Sequence, residues 1–436
     1  MRRLLVILGV VLCLPAQAGA ATTYIVDGRG WGHGIGMSQY GARGYAEAGW
    51  GYERVLAHYY PTTELTIVPA RPVRVLLLEG KAAVKLGSSK PFKVVDARGK
   101  VRRLKPRELN LAAAKIAAAR LPLRYEPGAS PLVLNGNAYR GTLIVHRRAG
   151  KLTVVNKLPL DRYLRGVVPW EMPEDWHPEA LRAQAVVARS YALATLKPGT
   201  LYDLYADTRS QVYGGVQAES VTTNLAIGAT AGRVLFWGGR VATTFYHSTS
   251  GGRTVSIAEA WPRATAVPYL VSVADPHDNL SKHHRWGPFR LTPAQIGKQL
   301  GLGPVRDLVA VRGPSGRVTE VKLKLRSGSR TMLSQDFRRA LDLRSTWFSV
   351  RVLQLEPASG RGLAKAGRPT VLRGFIRGLS KVRLERQVNG GTWQTVKRVR
   401  VRPNGRFSVS VSVQRTTSYR LATPVAAGAA VTVRTS

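Results

Sequence analysis

Val167-Val168-Pro169-Trp170-Glu171-Met172-Pro173, followed by Pro178-Glu179-Ala180-Leu181-Arg182-Ala183-Gln184-Ala185-Val186-Val187-Ala188-Arg189-Ser190-Tyr191-Ala192, is the stretch on which the reading of this chain turns. Pro178 and Glu179 suit a first helical turn, where a missing N–H costs nothing and an acidic side chain meets the positive end of the helix dipole. A helix is therefore expected over Pro178–Leu196, with Leu181, Ala185, Ala188 and Ala192 as a narrow small-residue face for close packing. Asp161–Val168 reads as one or two helical turns and Pro169–His177 as a loop. In that loop Glu171 is held between two prolines beside Trp170 and Met172. Apolar neighbours disfavour the charged form and move an acid toward the range a proton donor needs. By position alone, Glu171 also fits a surface glutamate with no special role.

Working outward, Thr22–Val26 alternates like a strand and runs into Gly28, Gly30, Gly32, Gly34 and Gly36. In an extended segment this spacing puts all five glycines on one face, open to close approach by a ligand or another backbone. The other face would carry Arg29, Trp31, His33, Ile35 and Met37. Neither Gly-x-Gly-x-x-Gly nor Gly-Lys-Ser/Thr occurs here, which excludes dinucleotide and P-loop readings. Ser38 can cap a helix ending before Gly49, and Tyr52–Tyr60 makes a second one, stopped by Pro61. Short alternating runs follow at Val73–Leu78, Phe92–Val95, Leu132–Leu134, Gly141–His146 and Lys151–Val155. Between Gly214 and Thr346, strands such as Val241–His247 mix with a helix near Pro293–Leu300. After the Pro/Gly-punctuated Glu356–Pro369 come Thr370–Arg377, Lys381–Gln387, Trp393–Val401, Arg406–Val413 and Ser418–Leu421, the pattern of a small sandwich. The expected fold class is α+β: a β-rich core with a few helices over 21–348 and a C-terminal β-sandwich over 350–436.

The chain has 436 residues, enough for two or three domains, and 44% hydrophobic residues, enough for real cores. Lys and Arg number 66 against 25 Asp and Glu, a net charge of +41, so a lasting partner should be a polyanion. Residues 1–20 combine the basic start Met1-Arg2-Arg3, the apolar Leu4–Pro15 and a small-residue end, Ala16-Gln17-Ala18 or Ala18-Gly19-Ala20. These are the three parts of a secretory signal, and the expected location is outside the cytoplasm, at the cell wall. Export favours anionic wall polymers over nucleic acid, which is not expected as a partner. The single cysteine, Cys13, lies within the signal behind Leu12, which does not suit lipid attachment. A mature chain without thiols excludes disulfides, a cysteine nucleophile and thiolate metal sites.

The segment Leu158-Pro159-Leu160-Asp161-Arg162-Tyr163-Leu164-Arg165-Gly166 together with the opening stretch resembles the stage II sporulation protein D/LytB (SpoIID/LytB) family. Further matches are Asp207–Gly214, Tyr246-His247-Ser248-Thr249-Ser250-Gly251-Gly252, Pro268-Tyr269-Leu270 and Gly30-Trp31-Gly32-His33-Gly34-Ile35-Gly36-Met37-Ser38-Gln39, with the motif core over about 150–275. The resemblance implies an exported peptidoglycan-active protein, either a lytic transglycosylase acting on glycan strands or a non-catalytic amidase enhancer whose partner is an amidase. Glu171 matches the family's catalytic glutamate. Gln184, Arg189, Tyr191, Gln211, Tyr213, His247 and Ser248 become candidates for holding sugar hydroxyls and N-acetyl groups. The Gly-His-Gly segment stands at 28–61, ahead of Glu171, where the family normally carries it late. A circular permutation accounts for this if His33 and Gln39 still line the Glu171 cleft. Some sporulation-type members resemble zinc proteins through His and Cys ligands. Here His247 remains without a cysteine, and His277, His283 and His284 form no helix-spaced zinc motif, so no metal or other cofactor is expected. Trp31, Trp170, Trp176 and Trp286 could stack on sugar rings or pack a core.

Overall fold

A computed structural model describes residues 20–360 and 362–435. The expected signal and Cys13 lie outside the described residues, apart from Ala20. The fold is β-rich α+β, and the chain forms two compact bodies. One is Arg29–Arg285; the other joins the residues through Gly28 to Trp286–Ser436.

In the first body, helix α5 (Pro178–Ala194) takes part in two cores, one shared with α1 (Gln39–Glu47) and α2 (Tyr52–Tyr59), the other with α3 (Leu160–Arg165) and α4 (Val168–Glu171). Ser38 caps α1 by accepting from the Gly41 N–H, as its residue type predicts. Every residue of α5 from Ala180 to Ala192 is buried except Arg182 and Tyr191, which are half-buried. The expected narrow face is thus a nearly complete one, because small residues all round let neighbours approach from every side. Helix α4 corrects the expected Pro169–His177 loop: Pro169 sits in its first turn, where proline is tolerated. A seven-stranded sheet runs in the order Leu204–Tyr205, Pro72–Lys81, Lys151–Pro159, Thr142–Arg148, Leu123–Glu126, Phe92–Val95 and Val101–Leu104.

The glycine segment is not an extended ribbon. Gly30, Gly32, Gly34 and Gly36 have φ of 74°, 113°, 85° and 68°, a conformation that side-chain-bearing residues avoid. A Cβ on Gly36 would fall on the Phe245 carbonyl, and one on Gly30 would meet the Thr249 carbonyl. The absent side chains therefore admit another backbone, residues 245–251, and Met37–Ser38 pairs in parallel with Tyr246–His247. The single strand expected over Val241–His247 is two short ones, Arg240–Val241 and Tyr246–His247. Between them Thr243 N–H donates to the Tyr269 hydroxyl at 3.2 Å and Thr244 Oγ1 to Val187 O at 2.8 Å. The Thr244 bond draws the segment onto α5, and both bonds take it away from a ladder.

The second body departs from the expected boundary at residues 348–350. Strand β1 (Ala21–Arg29) pairs antiparallel with Phe348–Pro357, from Ala21 opposite Leu355 to Gly28 opposite Phe348. Its Tyr24 and Val26 enter one core with Trp286, Phe337 and Phe348, while Ile25 enters the sandwich core with Leu372, Leu384 and Tyr419. A strand buried on both faces ties the N-terminal segment to the C-terminal sheets. One sandwich sheet is Arg285–Leu291, β1, Phe348–Pro357, Pro369–Arg377 and Arg406–Ser412; the other is Leu363–Ala364, Val431–Thr435, Thr417–Ala422, Arg383–Val388 and Gln394–Arg398.

Candidate active site

Glu171 ends α4, and the next residue fixes it: Met172 N–H donates to Val168 O at 3.0 Å, and the Met172 side chain is fully buried. Glu171 and Trp170 then stand on a groove of ≈ 430 Å³ that is also lined by His33, Tyr191, Gln211, Tyr246 and Trp261. Gln39, the first residue of α1, joins two distant parts of the sequence. Its Nε2 donates to Glu171 O at 3.0 Å and lies 3.5 Å from both Glu171 Oε2 and Gln184 Oε1. On the other side, the Tyr246 hydroxyl bonds the Glu171 carboxyl. That hydroxyl accepts from Gln211 Nε2 at 3.0 Å, and Gln211 Oε1 accepts from the Tyr163 hydroxyl at 3.4 Å.

Burial pushes the Glu171 carboxyl above its ordinary value, while the Tyr246 and Gln39 bonds favour the carboxylate and pull it partly back. Burial is the larger effect, so the acid keeps its proton to higher pH than a solvated glutamate. The same burial raises the Tyr246 hydroxyl and keeps it a neutral donor. Ile35 N–H donates to His33 Nδ1 at 3.0 Å, which assigns the proton of a neutral ring to Nε2.

Beneath the Gly-His-Gly segment lies a buried acidic pair. Asp278 accepts from Ser38 Oγ at 2.5 Å, Ser250 N–H at 2.9 Å and Gly251 N–H at 2.8 Å, with His284 Nδ1 at 3.1 Å. Asp275 accepts from the Tyr59 hydroxyl at 2.8 Å, and its carboxyl is pushed up to about 7 by burial and then by the Asp278 charge. This pair fastens α1 and α2 to the turn that carries Ser250.

Four likenesses bear on this geometry. The stage II sporulation protein (SpoIID) family profile matches residues 148–237. The chain is 43% identical over 115 residues to the amidase enhancer of Bacillus subtilis (strain 168), covering 26% of this chain and 15% of that protein. It is 30% identical over 218 residues to stage II sporulation protein D of Bacillus amyloliquefaciens, covering 44% and 60%, and 35% identical over 143 residues to an uncharacterised protein of Brachyspira hyodysenteriae, covering 32% and 38%. Residues 148–237 thus carry a SpoIID-family domain. The chain spans 15% to 60% of the lengths of these curated relatives, and no solved structure matches it.

Glu171, His33, Tyr191 and Gln211 share the groove, and Gln39 reaches it from behind. Arg189 does not line it. Only 1% exposed, it spends its guanidinium on Asp161 at 2.9 Å, Arg233 O at 3.1 Å and Ile227 O at 3.2 Å, which makes it a structural tie. Gln184 is fully buried behind Gln39. Tyr213 is buried with its hydroxyl on Asn156 Oδ1 at 3.0 Å, and Ser248 gives its carbonyl to the Tyr40 N–H at 3.0 Å; neither lines the groove. His247 packs behind His33, ring centroids 5.5 Å apart, with Nδ1 3.2 Å from Ile35 O. Among the described residues no three His, Cys, Asp or Glu side chains gather as a metal cluster.

Of the four tryptophans singled out, Trp170 lines the groove, Trp176 and Trp286 are buried, and Trp31 stands edge-on to His283. Sequence reasoning missed Tyr246 and Trp261 as groove residues. Tyr246 stood in a quoted motif beside His247, whereas nothing around Trp261 marked it.

Proposed function

We propose that the chain is a peptidoglycan lytic transglycosylase in which Glu171 serves first as acid and then as base. The supporting observation is that, among the described residues lining the groove, Glu171 is the one carboxylate, half-buried and with its proton held by burial. Two-acid glycosidases place a second carboxyl about 5–10 Å away. One acid suffices when the sugar supplies its own nucleophile.

Glu171 gives its proton to the oxygen between MurNAc and GlcNAc as the C1–O bond breaks. The carboxylate so formed takes the proton of the MurNAc 6-hydroxyl as that oxygen bonds C1. The product is a 1,6-anhydro end, no water enters, and Glu171 is protonated again. Gln39 and Tyr246 hold the carboxyl in place, while Trp170, 62% exposed, and Trp261 offer flat faces to sugar rings. The substrate on this reading is the glycan strand of an extracytoplasmic wall. Glu171→Gln should lower release of anhydro-muropeptides from purified sacculi by about 10²–10⁴-fold, read by mass spectrometry. Undiminished release would sink the reading.

Residues 28–61 are on this reading a circularly permuted piece of the family domain. In support, Gln39 contacts Glu171 across the sequence, and Gly30 N–H donates to His283 O at 3.0 Å, so the two ends of Arg29–Arg285 lie side by side. The likeness to the amidase enhancer favours a second reading, a wall-binding protein that stimulates an amidase. Faster stem-peptide release in a mixture with an amidase, equal for wild type and Glu171→Gln, would select it.

A further inference from the structure

The body that contains the sandwich holds a cleft of ≈ 720 Å³, separate from the Glu171 groove. Both acids on its wall are neutralised: Asp307 pairs with Arg377 at 2.9 Å and Glu356 with Arg373 at 3.0 Å. Four further cations line it, Arg306, Lys324, Arg402 and Arg406, all exposed and without an acidic partner among the described residues. They come from the residue that precedes Asp307–Arg312, from Val318–Leu325, from the 402–405 turn and from Arg406–Ser412. Like charges repel, and gathering them on a concave wall concentrates a positive field that an anion relieves.

The rest of the wall narrows the class of anion. Gln354 and Ser408 bring an amide and a hydroxyl suited to polyol hydroxyls. The aromatic rings are poor platforms for bases: Phe407 is buried, and the half-buried Phe375 has the Arg377 guanidinium 5.7 Å from its centroid. Single-stranded nucleic acid draws much of its affinity from stacking on open aromatic faces. Guanidinium forks, by contrast, match phosphate oxygens without any base.

We infer that this cleft binds a flexible linear polymer of repeating phosphodiesters without bases, a polyol phosphate, through Arg306, Lys324, Arg402 and Arg406. The site is independent of Glu171 and holds the protein on a phosphate-bearing surface.

The test uses the full chain and a synthetic, fluorescently labelled glycerol phosphate oligomer, with affinity measured by anisotropy from 50 to 200 mM salt. Arg402→Ala/Arg406→Ala and Arg306→Ala/Lys324→Ala should each weaken binding about tenfold or more. The slope of log affinity against log salt should fall by about one for each cation removed. Arg402→Lys/Arg406→Lys should stay within a few-fold of wild type, which separates lost charge from lost folding. Arg102→Ala/Arg103→Ala, on the exposed strand Val101–Leu104 of the other body, should change affinity by less than about twofold. Equal losses from that remote pair, no loss when all four cleft cations are removed, or equally tight cleft-dependent binding of oligodeoxythymidylate of the same charge would each overturn the inference. Glu171→Gln should bind like wild type, so failure of the transglycosylase reading and failure of this one are distinguishable.

Discussion

On the proposed mechanism the Glu171 carboxyl donates a proton only while it holds one, and burial is what holds it. The rate of glycan cleavage should therefore fall as pH rises through its elevated titration. Tyr246→Phe removes a bond that favours the carboxylate, so this falling limb should move to higher pH in a profile of kcat/KM on sacculi. A limb moving to lower pH would contradict the role given to that bond. Asp275 predicts a second pH dependence, in stability. Its carboxyl is pushed up to about 7 in the fold, well above the ordinary aspartate range, so the folded state binds the proton more tightly. The contribution of this group to stability is fully present below about pH 4 and is lost as pH rises through about 7, on the order of 4 kcal/mol in all. Asp275→Asn should flatten that slope in urea denaturation between pH 4.5 and 8. That Glu171, Tyr191 and Gln211 line one groove was foreseeable from the sequence, because an acid among prolines and polar residues in a known motif carry their own signal. Arg189 was misread because a residue type does not reveal which partners surround a helix buried on every side.

At the scale of elements, the glycine segment works by admitting residues 245–251, and two glycines separate the contributions. Gly49 has φ of 85° with nothing near an added Cβ, so Gly49→Ala meets only the backbone penalty, about 1–2 kcal/mol. Gly36→Ala meets that penalty and a collision with the Phe245 carbonyl, on the order of 4 kcal/mol together. Thermal unfolding should rank them in that order, and Gly36→Ala should also depress cleavage because Phe245 and Tyr246 line the groove. The spacing announced close backbone approach correctly but gave the wrong conformation, since alternate glycines suit both a flat ribbon and a chain of left-handed turns. The long helices and most strands were legible from caps and alternation. The interruption at Thr243 and Thr244 was not, because their partners, Tyr269 and Val187, are set by tertiary packing.

Over the whole molecule, Arg29–Arg285 is inserted between strands β1 and Arg285–Leu291 of the other body. Its ends meet at Gly30 and His283. A rearranged Arg29–Arg285 chain, with these ends joined by a short linker and opened at the exposed Ala70, should unfold in one cooperative transition within a few degrees of the original. A broad, non-cooperative melt would argue against the permutation. The sandwich was legible from five alternating runs near the C-terminus. Its N-terminal strand was not, because pairing across more than three hundred positions leaves no local mark. That pairing also orders events at the ribosome. Translation at about 5–20 residues per second leaves Ala21–Arg29 waiting tens of seconds for Phe348–Pro357 to emerge. An unmatched apolar edge is thus exposed while the inserted body folds, which makes this the interval in which a chaperone has most to protect.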